Sequence, residues 1–229
     1  MRENDFLPGS YSKGKEEGQI TWKSPSNIAL VKYWGKKENQ IPANPSISFT
    51  LDSCRTTTTL RYQKKEQKGD GYDFELWFEN EVKQSFRPKI EQFFRRIEQY
   101  LPFLKDYSFR IETSNSFPHS SGIASSASGM SALALCLMSL ERKLNPGMSD
   151  EYFLKKASFL ARLGSGSACR SIKGEVVVWG EHKNIPGSSD LFGKEYQAEV
   201  HENFQKYQDT ILLVDKGEKQ VSSTVGHEL

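Results

Sequence analysis

The segment HSSGIASSASG, residues 119–129, limits the possible folds of this chain more than any other stretch. From Ser120 to Gly129, nine of ten residues are Ser, Gly or Ala. The segment follows a strand pattern, YSFRIET (107–113), and leads into an apolar helix pattern, SGMSALALCLMSLERKL (128–144). A flexible linker is the simpler interpretation of such residues, but linkers seldom stand directly between a strand and a strongly apolar helix. The position favours a loop whose backbone amides, Ser hydroxyls and following helix N-terminus bind phosphate.

The known nucleotide-binding loops have their own sequence patterns. Neither GxxxxGK[ST] nor GxGxxG occurs in this chain. A nucleotide site here is therefore expected to be of another type.

A second informative segment is NIALVKYWGK, residues 27–36. Lys32 stands inside an otherwise apolar predicted strand, and Lys36 follows four residues later. Such a lysine can extend its ammonium to the surface. Alternatively, it can be a fixed cation that faces phosphate or a reacting oxygen.

A third segment is GSGSACRS, residues 164–171. A predicted helix ends at Gly164, and a Gly/Ser turn then presents Ser165, Ser167 and Arg170. The planar guanidinium fork of an arginine fits a carboxylate or a phosphate. A simple helix-ending turn explains Gly164 and Gly166 but not the other residues.

The pattern of the whole chain predicts a two-layer α+β domain. A loose N-terminal arm is expected over residues 1–19. Period-two patterns predict strands at 27–34, 46–52, 56–63, 107–113, 174–180 and 210–215, and a hairpin at 72–86 around Asn80. Helical spacing predicts helices at 88–101, 128–144 and 149–164, the last capped by Ser149.

Charge and composition exclude several classes of protein. The 229 residues carry 31 basic and 29 acidic side chains, and no aromatic-basic stripe, so a nucleic-acid partner is not expected. The three cysteines have no CxxC or metal-ligand spacing, which is typical of free thiols in a reducing compartment. The longest apolar run, residues 132–138, is too short to span a membrane, and the N-terminus lacks a signal-peptide pattern. We therefore expect a cytoplasmic protein without a membrane partner.

Taken together in this order, the three segments resemble the diphosphomevalonate decarboxylases of the GHMP kinase superfamily. The matching stretches are NIALVKYWGK, NPSISFTL (44–51), FPHSSGIASSASG (117–129), GSGSACRS and VSSTVG (221–226). The resemblance implies a GHMP-kinase-type N-terminal domain with a ribosomal-protein-like fold over 20–209. It also implies that 210–229 begins a ferredoxin-like C-terminal domain that is largely missing from this chain.

The resemblance also implies an activity and its cofactors. The family uses ATP with Mg²⁺ to phosphorylate the 3-hydroxyl of mevalonate 5-diphosphate, and then forms isopentenyl diphosphate for isoprenoid synthesis. The family's general base is an aspartate that would lie beyond Leu229, so the chain alone is expected to be inactive. The expected partners are the small-molecule substrate and, in a homodimer, a second copy of the chain.

Site roles follow from the same resemblance. Lys32 and Arg170 are the expected catalytic residues, acting on the 3-oxygen and on the substrate carboxylate. The expected substrate-binding residues are Tyr33, Trp34, Gly35, Lys36, Ser165, Gly166, Ser167, Ala168, Cys169, Arg170 and Thr224. The expected ATP-binding residues are Ser120, Ser121, Gly122, Ser125 and Ser126, with no protein ligand to a metal. The polar PHSSG sequence (118–122) departs from the smaller residues usual in the family.

Two alternative functions remain open from the sequence. A relative could phosphorylate mevalonate itself at the 3-position or decarboxylate the monophosphate. A non-catalytic module that binds phosphate or RNA is the alternative from a different class, because a fold can carry unrelated functions.

Overall fold

The computed structural model describes residues 1–12, 16–67, 69–118 and 122–212 of the chain. Within these residues the strands form one mixed sheet, and helices pack against one of its faces. Burial alternates along the strands, as in Thr58, Leu60 and Tyr62, because successive side chains point to opposite faces. The two-layer α+β fold predicted from the sequence is confirmed.

One unusually long strand organises the sheet. The strands are β1 (Glu17–Val31), β2 (Ser46–Lys64), β3 (Asp73–Phe78), β4 (Glu81–Val82), β5 (Tyr107–Asn115), β6 (Val176–Trp179) and β7 (Lys194–Glu195). The 19-residue β2 merges the two strands predicted at 46–52 and 56–63. It pairs with β1 along one edge, and with β5 and then β6 along the other. The remaining order is β4–β3–β5 and β6–β7, with only β3 and β5 parallel.

The helical layer is built from α1 (Arg87–Ile97), α2 (Ser125–Leu144) and α3 (Asp150–Gly164), and a short α4 (Glu202–Gln205) follows. The Ser149 hydroxyl caps α3 by accepting a hydrogen bond from the Tyr152 amide at 3.2 Å, as the sequence predicted. The apolar side of α2 packs on β1 and β2, while α3 packs on α1 and α2. The described residues contain no helix with the length and apolarity that crossing a bilayer requires.

Two helix boundaries differ from the predictions. The helix predicted at 88–101 ends at Ile97, and Leu101 has an extended φ of −135°. Pro102 follows, and proline disfavours the helical conformation of the residue before it. Helix α2 begins at Ser125, three residues earlier than predicted, after Ala124 in a left-handed conformation. Ser125 and Ser126 therefore belong to the first turn of the helix.

The strand predicted at 27–34 ends at Val31, so Lys32 lies beyond the strand and not inside it. The cause is the Asn44 side chain, which accepts a hydrogen bond from the Trp34 amide at 2.6 Å and donates to the Lys32 carbonyl at 3.0 Å. A side chain thus satisfies backbone groups that a neighbouring strand would otherwise satisfy.

The predicted hairpin around Asn80 is confirmed but short, since Phe78 pairs with Glu81 and only two residues of β4 follow the turn. Glu79 and Asn80 take the two positive φ angles of the turn. Residues 84–86 turn toward α1 instead of continuing the predicted strand.

The two chain ends also differ from expectation. Phe6 is fully buried and stacks on Phe159 with ring centroids 4.3 Å apart, so the described start of the chain is not a loose arm. The apolar residue alone could not reveal this partner, which is 153 positions away in the sequence. At the other end, residues 210–212 lie outside any strand and Leu212 is 82% exposed, because no described strand adjoins them. Residues 213–215 of that predicted strand lie outside the described residues, and the division into domains remains a prediction.

Candidate functional site

Three buried polar residues of β1 connect the segments that the sequence singled out. Ser24 donates to the Ser171 carbonyl at 2.8 Å, and Ser26 donates to the Ile123 carbonyl. Asn27 donates to the Ser167 carbonyl at 3.2 Å. One strand therefore holds the end of the small-residue loop and the 164–171 segment side by side.

These three residues were not predicted from the sequence. The available signal was SPSN, a polar run at 24–27 that directly precedes the apolar end of β1, residues 28–31. The strand register shifts between Pro25 and Ser26, as expected where proline cannot donate to the ladder.

Arg170 lies at the centre of this arrangement and is only 3% exposed. Its Nε and Nη2 donate to the Asn27 amide oxygen at 3.3 and 3.1 Å, and its Nη1 donates to the Ser46 hydroxyl. These contacts use three of the five N–H donors. No carboxylate lies within ion-pair distance among the described residues, and burial lowers the pKa of the guanidinium. The group is thus a buried cation with neutral partners.

Tyr33 connects Arg170 to the KYWGK segment. Its ring lies 5.8 Å from the Arg170 Cζ and 5.7 Å from the Lys36 Nζ, both measured to the ring centroid. The ring also packs edge-on against Trp179 at 4.8 Å. Burial raises the pKa of the Tyr33 hydroxyl despite the nearby guanidinium. Two cations therefore flank one aromatic ring.

The chain after Tyr33 forms a short closed loop, residues 35–43. Gly35 has a φ of +83°, which other residues rarely adopt, and its carbonyl accepts from the Ala43 amide at 3.1 Å. Lys36 pairs with Pro42 in an isolated bridge. Trp34 is 71% exposed, and Lys32 is also exposed. The structure brings Tyr33 and Lys36 to Arg170, whereas no described contact joins the Lys32 ammonium to them.

The small-residue loop meets the 164–171 segment at two hydroxyls. Ser126, in the first turn of α2, lies with its Oγ 3.5 Å from the Ser165 Oγ. The first amides of any helix have no partner within that helix and attract anions. Gly122 has a φ of +88° and Ala124 a φ of +51°, which turn the chain into α2. Ser120, Ser121 and Thr224 lie outside the described residues.

A cavity of about 200 Å³ opens beside the first turns of α2. Its walls are mainly apolar and include Thr and Asn side chains of the sheet, together with Ser125 and Ser126 of α2. A side chain added at Gly129 would meet nothing within 4 Å, so the helix leaves open space on this side. The polar sheet residues that line the cavity were not predicted from the sequence: Thr56, Thr58, Thr113 and Asn115.

Two of the predicted substrate residues point inward. Ala168 and Cys169 are buried, and their carbonyls accept hydrogen bonds from Ser131 and Ser158. The Cys169 thiol donates to the Gly166 carbonyl at 3.0 Å. These hydrogen bonds hold the shape of the turn.

No group of three His, Cys, Asp or Glu side chains suited to a metal ion occurs in the part of the chain that the structure describes. The oxygen donors near the loop are neutral hydroxyls. They fit a metal that is bound chiefly by the phosphates of a nucleotide.

Comparison with known proteins agrees with this geometry. Residues 24–191 match the model of the diphosphomevalonate decarboxylase-like N-terminal domain. A diphosphomevalonate decarboxylase of Ganoderma lucidum is 36% identical over 223 residues, covering 91% of this chain and 52% of that protein. The Saccharomyces cerevisiae enzyme is 32% identical over 220 residues, covering 90% and 52%. The chain therefore spans about half the length of these relatives.

Solved structures give the same result at the level of the fold. Mevalonate diphosphate decarboxylase from Staphylococcus aureus superimposes with a TM-score of 0.67 at 29% identity, covering 92% of this chain and 59% of that one. The structure described as MDDEF in complex with MVAPP, AMPPCP and magnesium gives 0.66 at 30% identity, covering 92% and 60%. The match of the domain model to residues 24–191, over most of the chain, shows that this protein belongs to the diphosphomevalonate decarboxylase-like family.

Proposed function

We propose that this chain supplies the nucleotide-binding and substrate-binding residues of an ATP-dependent decarboxylase that converts mevalonate 5-diphosphate to isopentenyl diphosphate. The observation that carries the proposal is the 3.5 Å contact between Ser126 and Ser165. Ser126 lines the cavity at the start of α2, and Ser165 begins the turn that leads to Arg170. This contact supports the proposal that a nucleotide binds beside a second anionic guest.

The chemistry of the reaction matches the residues present. A 3-hydroxy acid loses carbon dioxide slowly because hydroxide is a poor leaving group. Transfer of the γ-phosphoryl group of ATP to the hydroxyl, whose proton passes to a base while ADP leaves, converts the hydroxyl into a good leaving group. When phosphate leaves, C3 becomes electron-poor. The carbon–carbon bond to the carboxylate then breaks, its electrons form the alkene, and carbon dioxide leaves. Phosphoryl transfer depends mainly on alignment and charge stabilisation. Lys32 would supply positive charge near the 3-oxygen, immediately after β1.

Arg170 is suited to hold the substrate carboxylate. A buried guanidinium with only neutral partners gains from an anionic guest, because the guest offsets the cost of burial. Its two remaining N–H donors could form a pair of charge-assisted hydrogen bonds with the carboxylate. Lys36, with Tyr33, would face the diphosphate, and Trp34, Gly35, Ser167 and Thr224 are the remaining proposed contacts.

ATP would bind at the start of α2. Ser120, Ser121, Gly122, Ser125 and Ser126 would surround its phosphates, and the adjoining cavity of about 200 Å³ would take part of the nucleoside. Mg²⁺ would be held by the phosphates, with serine hydroxyls as the nearest protein oxygens, and would neutralise their charge. The relative in complex with MVAPP, AMPPCP and magnesium supports ATP and Mg²⁺ as the cofactors.

The cellular setting is part of the same proposal. All three cysteines are free thiols, which supports a reducing, cytoplasmic location. A homodimer and the absence of a nucleic-acid partner remain predictions.

Titration calorimetry with mevalonate 5-diphosphate tests the proposal. Wild type should bind it more tightly than mevalonate or the 5-phosphate, and Arg170→Gln should weaken binding about 100-fold through loss of charge-assisted hydrogen bonds. Arg61→Gln, on the exposed face of β2, is the matched control and should bind as wild type does. Lys36→Gln is a second variant that leaves the buried guanidinium in place.

The outcomes separate the candidate functions. Equal affinity for all three compounds would favour one of the two related activities, 3-phosphorylation of mevalonate or decarboxylation of the monophosphate. Unchanged binding by both Arg170→Gln and Lys36→Gln would contradict the proposed site.

A further inference from the structure

A second buried arginine, Arg162 in α3, joins three distant parts of the chain. Its Nε donates to the Leu191 carbonyl at 2.8 Å, its Nη1 donates to the Asn39 carbonyl, and its Nη2 lies 3.3 Å from Glu3 Oε1. The side chain is fully buried. Among the described residues, Glu3 is the carboxylate within ion-pair distance of it.

Asn39 belongs to the tip of the 35–43 loop, where the backbone is strained. Asn39 has a φ of +53° and Gln40 a φ of +61°, both in the left-handed region. Such conformations persist when surrounding contacts hold them, especially for a residue such as glutamine. Arg162 provides one such contact, and Gln40 lies against Gly166, with its Oε1 3.5 Å from the site of an added Cβ.

The loop tip connects directly to the candidate substrate site. Lys37 donates its amide to the Ile41 carbonyl at 2.8 Å, next to the bridge between Lys36 and Pro42. Lys36 in turn lies over the Tyr33 ring. A change in the tip would therefore move the Lys36 ammonium relative to Arg170.

Glu3 is itself held in place by the N-terminal segment. Two residues later, the Asp5 carbonyl accepts from the Tyr152 hydroxyl at 3.2 Å, and Phe6 stacks on Phe159. Burial and the nearby Glu3 carboxylate raise the pKa of the Tyr100 hydroxyl. The N-terminal residues thus present a fixed counter-charge to Arg162.

We propose that Glu3 and Arg162 are positioning residues, which hold the tip of the 35–43 loop so that Lys36 and Tyr33 are arranged for the diphosphate substrate. The identity of that substrate rests on the proposed function. The link from Glu3 through Arg162 to the loop does not depend on it.

Hydrogen–deuterium exchange on the full chain tests the link. In Glu3→Gln, the peptide covering residues 35–43 should exchange about tenfold faster, because a charge-assisted contact to the buried guanidinium is lost. The peptide covering 56–64 in the central strand should be unchanged. Glu151→Gln, which breaks an exposed ion pair with Lys155 on the same helix, is the matched control and should resemble wild type. Arg162→Lys keeps the positive charge but lacks the planar guanidinium that contacts three partners. This variant should also raise the exchange rate of the 35–43 peptide.

Binding measurements test the positioning role. Glu3→Gln should weaken the affinity for mevalonate 5-diphosphate about tenfold and leave the affinity for AMPPCP unchanged, since the proposed nucleotide residues lie outside the 35–43 loop. The proposal is overturned if exchange rises equally in both peptides, if it is unchanged at 35–43, or if both affinities fall together. If wild type does not bind the diphosphate, the proposed function fails, while the exchange result still decides the role of Glu3.

Discussion

Among the described residues, three buried cations differ in their partners. Lys156 pairs with the buried Glu141 carboxylate, and Arg162 pairs with Glu3. Among the described residues, Arg170 donates its hydrogen bonds only to amide and hydroxyl oxygens. Burying a charge without a counter-charge costs free energy, and such a cost is typical of functional sites. This difference supports the proposal that Arg170 binds an anionic guest.

Residue 166 must be glycine because the Trp179 side chain lies very close to it, and not because of its backbone angles. A Cβ there would lie 2.7 Å from Cη2 of Trp179, whose side chain is fully buried. Gly166→Ala should lower the free energy of unfolding by about 1–3 kcal/mol, because the rigid ring must move. Urea denaturation measures this change.

Gly129→Ala is the matched control for this prediction. An alanine there meets nothing within 4 Å and improves helix propensity, so stability should rise by about 0.5–1 kcal/mol. A loss of stability in both variants would show that the two environments are not as different as described.

At the scale of elements, the two long strands β1 and β2 bring the site together. β1 changes register near Pro25, and its polar residues on either side hold the two loops. The second half of β2 faces the helices, while Ser46 in its first half accepts from Arg170. The site therefore depends on strand length and register more than on any single loop.

The N-cap of α3 offers a test at this scale. Ser149→Ala removes the acceptor for the Tyr152 amide and should cost about 1 kcal/mol of stability. Ser149→Asp keeps an acceptor and should remain close to wild type. Thermal unfolding followed by circular dichroism measures both variants, and equal melting temperatures in Ala and Asp would contradict the capping role.

At the scale of the whole molecule, the reactivity of the three cysteine thiols shows whether the core is folded. Burial raises the pKa of Cys136 and of Cys169 to about 12, whereas Cys54 is partly exposed. At pH 8 only about one in ten thousand of the two buried thiols is ionised. A thiol reagent should therefore label Cys54 in the native protein and all three cysteines in urea.

The same shift makes stability depend on pH. The pKa of the Cys136 thiol in the folded protein lies above its unfolded value of 9.0, so ionisation is harder in the folded state. The contribution of the thiol to the free energy of unfolding is fully present below pH 9 and is lost as the pH rises toward 12. The loss is about 1.4 kcal/mol per pH unit for each thiol. When the pH is raised from about 8.5 to about 10.5, the urea concentration at the midpoint of unfolding should fall less in Cys136→Ala than in wild type. An equal fall would contradict the buried state of this thiol.

Local sequence patterns were sufficient for much of the fold. The helical spacing of Ile90, Phe93, Phe94 and Ile97 predicted α1, because one face of a helix meets the core every three to four residues. Ser149 predicted the start of α3 for an equally local reason. The residue chemistry of 27–36, 119–129 and 164–171 was enough to indicate a family and an anion site. Burial of Phe6 and the end of β1 at Val31 were missed, because both depend on residues distant in the sequence.

The sequence by itself determined the main helices and most of the strands, and which charged or hydroxyl groups are available, because propensity and periodicity act over a few neighbouring residues. The tertiary structure alone decided their partners. It buried Arg170 among neutral oxygens, joined Ser126 to Ser165 across 39 positions, and tied Glu3 to Asn39 through Arg162. Such contacts follow from the register of β1 on β2 and the packing of α2 and α3, which no local pattern encodes.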